Sequence, residues 1–283
     1  MPQPDDKAGS FRCALVQLRS SRDTAASIDT AVPLIRDAAA RADYVLTPEN
    51  TSLMEMRTKP LFAAIAPEEE TPALGTFRDL AAELRVWLHI GSIAILVGDR
   101  RAANRSFLLA PDGGIAARYD KIHMFDVDLP GGESYRESKN YRPGEDAVLA
   151  ALPWGMLGLT TCYDLRFPEQ YIALAQTGAD FITVPSAFTR RTGAAHWHVL
   201  LRARAIETGC YIFAAAQGGL HDNGRETYGH SLIVDPWGEI IAEISGDEPG
   251  LVVAEIDPAK VEQARARIPA LQHRRDFRVR NIS

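Results

Sequence analysis

The sequence predicts an α/β protein of four layers, an α-β-β-α sandwich with two sheets face to face and helices outside. Three observations predict it. Short apolar runs alternate with stretches of helical period. That alternation passes through the chain twice, each pass closed by a hairpin, and no linker-like stretch separates the passes. The repeat is far too long for a solenoid. A single domain over residues 11–275 is therefore expected, with loose tails at 1–10 and 276–283.

Phe11 to Leu18 (FRCALVQL) reads as the first strand, and Ser27 to Ala42 as an amphipathic helix through Ile28, Val32, Ile35 and Ala39. Tyr44 to Thr47 is a short buried strand closed by Pro48-Glu49-Asn50. A second helix runs through Phe77, Leu80, Ala81, Leu84 and Trp87, then Leu88 to Leu96 forms a strand. SFLLAPDGGIAARY is a hairpin turned by PDGG. The second pass has a strand ending at Cys162, a helix from Pro168 to Gly178 and a strand at Phe181 to Pro185. A helix from Ala195 to Gly209, a strand at Cys210 to Ala216 and the hairpin SLIVDPWGEIIAEI complete it. Leu251 to Ile256 adds a strand and Pro258 to Arg267 a late helix. The closing LQHRRDFRVRNIS is basic and is expected to reach across a surface or a partner subunit.

The 283 residues, 46% hydrophobic, are ample for a large core. A net charge of −6 argues against nucleic acid or an anionic membrane as partner. Cys13, Cys162 and Cys210 are too scattered for a disulfide framework, and no apolar run reaches membrane-spanning length. MPQPDDKAGS resembles neither a signal nor a transit peptide, so a cytoplasmic protein is expected.

Three residues stand where strand gives way to loop: Glu49 after VLTP, Lys121 in ARYDKIHMF and Cys162 after GLTT. Parallel strands gather their C-termini at one rim, so Glu49 and Cys162 can meet although distant in sequence. Cys162 also precedes a helix start at Pro168, a placement expected to lower a thiol pKa. A thiol, a carboxylate and an ammonium suffice for acyl transfer: nucleophile, general base and oxyanion stabiliser.

LTPEN around Glu49, YDKIHMFD around Lys121 and TCYDLRFPE around Cys162 resemble the three signature segments of the nitrilase superfamily of carbon-nitrogen hydrolases. The resemblance runs from about Phe11 to Arg275 and implies the same sandwich, commonly paired into a homodimer or higher homo-oligomer. It implies that Glu49 is the base, that Cys162 forms a thioester with the acyl group, and that Lys121 and the Tyr163 N–H hold the oxyanion. It implies a second glutamate, for which Glu137 is preferred over Glu133, and no metal or organic cofactor. AHWHVLLRARAIETGCYIFAAAQ, YGHSLIVDPWG and QHRR resemble the branch that includes deaminated-glutathione amidase and omega-amidase. Such substrates carry carboxylates, so Arg190 and Arg191 are candidate pocket cations, and Phe188 and Gln217 candidate lining residues.

The expected activity is hydrolysis of a small carboxylated amide, with deaminated glutathione foremost. An omega-amidase, an N-carbamoyl amino-acid hydrolase, a nitrilase and a catalytically dead scaffold of the same fold are the alternatives. His196 and His198, two apart on a helix, point in different directions and make a poor metal pair. GHSLI lacks the closing glycine of a serine nucleophile elbow. His221 and Asp222 are expected at a loop tip, and Cys13 and Cys210 in the core.

Overall fold

The computed structural model describes residues 9–98, 100–129 and 132–282. The first pass contains β1 (Phe11–Gln17), α1 (Thr24–Ala39), β2 (Tyr44–Leu46), α2 (Thr58–Ala64), α3 (Pro72–Leu84), β3 (Trp87–Val97), β4 (Arg101–Leu109) and β5 (Ile115–Asp120). A small ribbon, β6 (Asp126–Asp128) with β7 (Ser134–Arg136), follows. The second pass contains β8 (Val148–Leu152), β9 (Gly155–Leu159), α4 (Pro168–Gln176), β10 (Phe181–Thr183), α5 (Arg190–Thr208) and β11 (Tyr211–Ala214). The ribbon β12 (Gly218–Leu220) with β13 (Glu226–Tyr228) precedes β14 (Leu232–Val234) and β15 (Ile240–Glu243). β16 (Gly250–Ile256) and α6 (Ala259–Arg267) end the regular structure.

The first sheet has the order β16-β1-β2-β3-β4-β5 and the second β8-β9-β10-β11-β14-β15. Both read antiparallel, parallel, parallel, antiparallel, antiparallel from that edge, so the two passes share one topology. β16 comes from the far end of the chain to complete the first sheet, which interlocks the passes.

Period-two alternation sorts the strands into layers although they read as continuous apolar runs. Cys13, Leu15, Tyr44 and Leu46 meet Leu159, Phe181, Tyr211 and Phe213 between the sheets. Ala14, Val16 and Val45 face outward onto Ile35 of α1 and Phe77 of α3. Ile182, Ile212 and Ala214 face outward onto Leu174 of α4 and Trp197 and Leu201 of α5. Three apolar interfaces separate four layers. The fold is the α-β-β-α sandwich.

Several boundaries differ from expectation. α1 begins three residues early because the Asp23 carboxylate accepts from the Ala26 N–H at 2.8 Å. α3 stops at Leu84, where Arg85 turns left-handed, so Trp87 opens β3 instead of closing the helix. α5 starts at Arg190, capped by Thr189, whose hydroxyl accepts from the Thr192 N–H. The expected tail at 1–10 falls mostly outside the described residues. Among the described residues no helix is long and apolar enough to cross a membrane.

Candidate active site

Each candidate catalytic group sits just past a strand. Glu49 lies three residues beyond β2 and Cys162 three beyond β9, the equivalent point of the second sheet. Lys121 directly follows β5, and Glu137 opens a 3-10 turn after β7. The sandwich brings all four to the floor of one cavity of about 460 Å³.

Lys121 is the hub, 2% exposed. Its Nζ donates to Glu49 Oε1 at 3.0 Å and to both oxygens of Glu137, at 3.0 and 2.8 Å. Asn104 Nδ2, from β4, also bridges Glu49 Oε1 (2.9 Å) and Glu137 Oε1 (3.2 Å). The Ala187 N–H donates to Glu49 Oε2 at 2.9 Å and the Phe125 N–H to Glu137 Oε2 at 2.7 Å. The Cys162 thiol lies beside the Glu49 carboxylate, close enough for each to perturb the other's titration.

Cys162 has φ +52°, a left-handed backbone at a residue with a side chain, which costs about 1–3 kcal/mol. A 3-10 turn, Cys162–Arg166, begins there. As a first-turn donor the Tyr163 N–H has no acceptor within that helix. Buried Asp164 fastens this turn to the lysine loop. It accepts from the Thr161 N–H (2.8 Å) and Tyr119 hydroxyl (2.6 Å), and contacts the His123 N–H and Nδ1. Lys121 is thus held between two residues anchored to the Cys162 turn.

Burial alone would push the Glu49 carboxyl up. The Lys121 ammonium, the neighbouring Cys162 thiol and the Lys121 hydrogen bond outweigh it and hold the carboxyl below its ordinary value. Burial alone would discharge Lys121, but the Glu137 and Glu49 carboxylates hold it well above the usual lysine range. Burial and then the Glu49 charge push the Cys162 thiol up. The expected lowering of that pKa is therefore reversed: the resting sulfur keeps its proton, beside a carboxylate that lacks one.

A profile of the family described as carbon-nitrogen hydrolase matches residues 12–266. The chain belongs to that family. It is 41% identical to a deaminated glutathione amidase of Synechocystis over 93% of this chain and 98% of the relative. It is 40% identical to the human protein of the same name, over 93% and 81%. Among solved structures, Saccharomyces cerevisiae Nit3, a member of branch 10 of the nitrilase superfamily, superposes with a TM-score of 0.84. The identity is 29%, over 95% of this chain and 98% of that one. A glutamate-to-glutamine mutant of an amidase from Nesterenkonia sp. AN1 superposes with a TM-score of 0.80 at 26% identity, over 94% of each chain. That structure shows covalent addition of the acetamide moiety of fluoroacetamide at the active site cysteine. This carbon-nitrogen hydrolase is an amide-hydrolysing enzyme of the nitrilase superfamily.

The hydrolase's cavity does not contain every residue expected there. Tyr163 and Phe188 line it. Arg190 and Arg191 do not: they begin α5, and Arg190 pairs with Glu226 and Asp247. The expectation placed them in a loop, and the Thr189 cap makes them helix. Gln217 is buried behind the site, donating to Ser20 Oγ and to the carbonyls of Glu49 and Asn50, so it positions the Glu49 turn without lining the cavity. Glu133 faces solvent and accepts from the Tyr135 hydroxyl. His221 is buried, bonded to the Ser20 carbonyl and Thr227, not at a loop tip.

Sequence reading passed over Asn104, Arg166 and Arg225, all of which line the cavity. Arg166 lies over the Phe188 ring (5.3 Å), and Arg225 over Tyr135 (5.2 Å). Arg225 also donates to the Ala187 carbonyl. No ion pair to a carboxylate is formed by either arginine among the described residues.

Proposed function

We propose that the protein hydrolyses deaminated glutathione, releasing 2-oxoglutarate and a dipeptide, through a thioester on Cys162. The observation that carries this reading is the closed Glu49–Lys121–Glu137 network beneath a cavity with two carboxylate-free guanidinium groups. The roughly 40% identity to amidases of that name supports the substrate. The cavity volume falls within the usual range for small-ligand sites, about 300–1,000 Å³.

In this reading Glu49 takes the thiol proton as sulfur attacks the amide carbon, and the carbonyl oxygen becomes an oxyanion. The Lys121 ammonium and the Tyr163 N–H stabilise it. Glu49 passes its proton to the amide nitrogen as the C–N bond breaks, and the amine leaves. Water enters, Glu49 removes its proton, and hydroxide attacks the thioester carbon. Collapse expels the sulfur, which recovers its proton from Glu49. Glu137 and Asn104 keep Lys121 and Glu49 in place throughout. Arg166 and Arg225 pair with the substrate's carboxylates, for which a guanidinium is the better-matched cation.

The test is kcat/KM for deaminated glutathione against 2-oxoglutaramate and N-carbamoyl amino acids. Deaminated glutathione should lead. A lead for 2-oxoglutaramate would make the enzyme an omega-amidase, and a lead for N-carbamoyl substrates a carbamoyl hydrolase. Failure on all three, with a Cys162 no more reactive than Cys13 or Cys210, would favour the scaffold.

The functional unit in this reading is a homodimer or higher oligomer. Val199 and Ile206, one α5 face, are exposed, and Ile206 shares a surface cleft with Trp237 and Ile268. Sedimentation of the wild type should give a species larger than one chain, and Val199→Glu with Ile206→Glu should dissociate it.

A further inference from the structure

We infer that His198, His230 and Glu243 form a binding site for one Zn²⁺ ion, outside the catalytic cavity, that staples α5 to the second sheet. His198 Nε2 lies 2.9 Å and His230 Nδ1 2.8 Å from the same oxygen, Glu243 Oε1. The potential ligand atoms of the three residues all lie within 4.8 Å of one another. Zinc holds imidazole nitrogen at about 2.0–2.1 Å and carboxylate oxygen at about 2.0–2.2 Å, so tetrahedral neighbours stand roughly 3.3 Å apart. The two His–Glu contacts must open by about half an ångström to admit the ion, which replaces the hydrogen bonds between the rings and the carboxylate. Two imidazoles and a carboxylate suit zinc and leave a fourth position to water.

The ligands come from a helix, a loop and a strand, each held in place by contacts other than those among the three side chains. His198 is on α5, and its neighbour Trp197 donates its indole N–H to the His230 carbonyl at 2.8 Å. His230 itself is held left-handed, φ +56°, with its N–H on the Gly246 carbonyl at 2.9 Å. Glu243 ends β15 opposite Leu232. Tyr228 stacks on the His230 ring (4.3 Å) and meets the His198 ring edge-on (5.9 Å), which sets both imidazole planes. The three side chains are 23–30% exposed, so an ion can enter. Helical spacing argued correctly against a His196–His198 pair, since His196 turns away to Arg166. The partner of His198 comes instead from a distant loop, and the expectation of a metal-free chain gives way to this proposal.

The test is calorimetric titration of the full-length protein with ZnCl2, after alkylating Cys162 so that its thiol does not compete. One ion per chain should bind, with a thermal midpoint that rises on saturation. His198→Ala, Glu243→Ala and His230→Asn should each weaken binding at least tenfold and abolish the thermal shift; Asn tolerates the left-handed backbone, so that variant keeps the fold. Cobalt(II) should give a visible absorption band that the same variants lose. Absence of saturable one-to-one binding would overturn the site, as would undiminished binding in all three variants.

Discussion

A protonated thiol facing an ionised glutamate changes how the proposed nucleophile should respond to pH. The Cys162 pKa is pushed up and the Glu49 pKa held down, so neither group titrates in the neutral range. kcat/KM should therefore stay flat through neutrality and fall on the acid side, below the ordinary glutamate pKa of about 4.3, as the base gains its proton. A pH–rate profile checks this; an inflection near the free-thiol value of about 8.5 would mean a thiolate nucleophile. Iodoacetamide should alkylate Cys162 well before the fully buried Cys13 and Cys210. Cys162→Ala should abolish turnover with the fold intact, and Glu49→Gln should lower kcat by about 10²–10⁴ in both acylation and deacylation. Normal burst accumulation of acyl-enzyme in Glu49→Gln would remove Glu49 from the first step. The cavity arginines should separate in kinetics. Arg166→Met would lose the proposed charge-assisted contact to a substrate carboxylate, so KM should rise, with about 10–200-fold lost from kcat/KM. Arg225→Met should lower kcat as well, because Arg225 holds the Ala187 carbonyl and the Ala187 N–H holds Glu49.

Strand ends decide where those residues stand, and one glycine shows how tightly. Gly91, mid-β3, faces the turn that leads into Glu49. A Cβ there would lie 2.2 Å from the Thr47 carbonyl oxygen, 2.5 Å from the Pro48 oxygen and 2.5 Å from Pro185. Two of those contacts are backbone, so the turn itself must move. Gly91→Ala should cost about 1–3 kcal/mol of stability and lower kcat by more than it raises KM. Urea unfolding and steady-state kinetics check the two halves; unchanged kcat would mean the turn has slack. The same elements explain what the sequence could disclose. Glu49, Lys121 and Cys162 are adjacent to strong strand patterns and sit in recognisable segments. Asn104 had only a faint cue, a poor strand former in the middle of β4. The expected hairpin begins only at Ser106, two residues past Asn104, and the pairing of β4 with β3 is one that periodicity does not reveal. Arg166 stood inside the TCYDLRFPE segment, yet its aim into the cavity depends on the turn begun by the left-handed Cys162. Arg190 and Arg191 misled because a pair of arginines after SAFT reads as loop until Thr189 is seen to cap them.

Packing between the sheets imposes its own pH limit on the whole molecule. His89 is fully buried there, bonded to the Tyr44 hydroxyl and to Ser106 Oγ at 2.7 Å each, and burial lowers its pKa from 6.5 to about 3. The unfolded chain takes up a proton on this ring below pH 6.5 and the folded chain does not until about pH 3. Stability is thus complete above pH 6.5 and declines as pH falls through that window. His221, whose pKa burial also lowers, adds a contribution of the same sign. From pH 6.5 to 5 the His89 share amounts to about 2 kcal/mol. Urea midpoints at pH 8, 6 and 5 should therefore fall successively for the wild type. His89→Gln should be less stable at pH 8, having lost ring packing and one polar contact, but should fall less steeply between pH 6 and 5. Equal slopes in the two proteins would mean that the folded state accommodates an imidazolium between its sheets, and that acid sensitivity originates elsewhere.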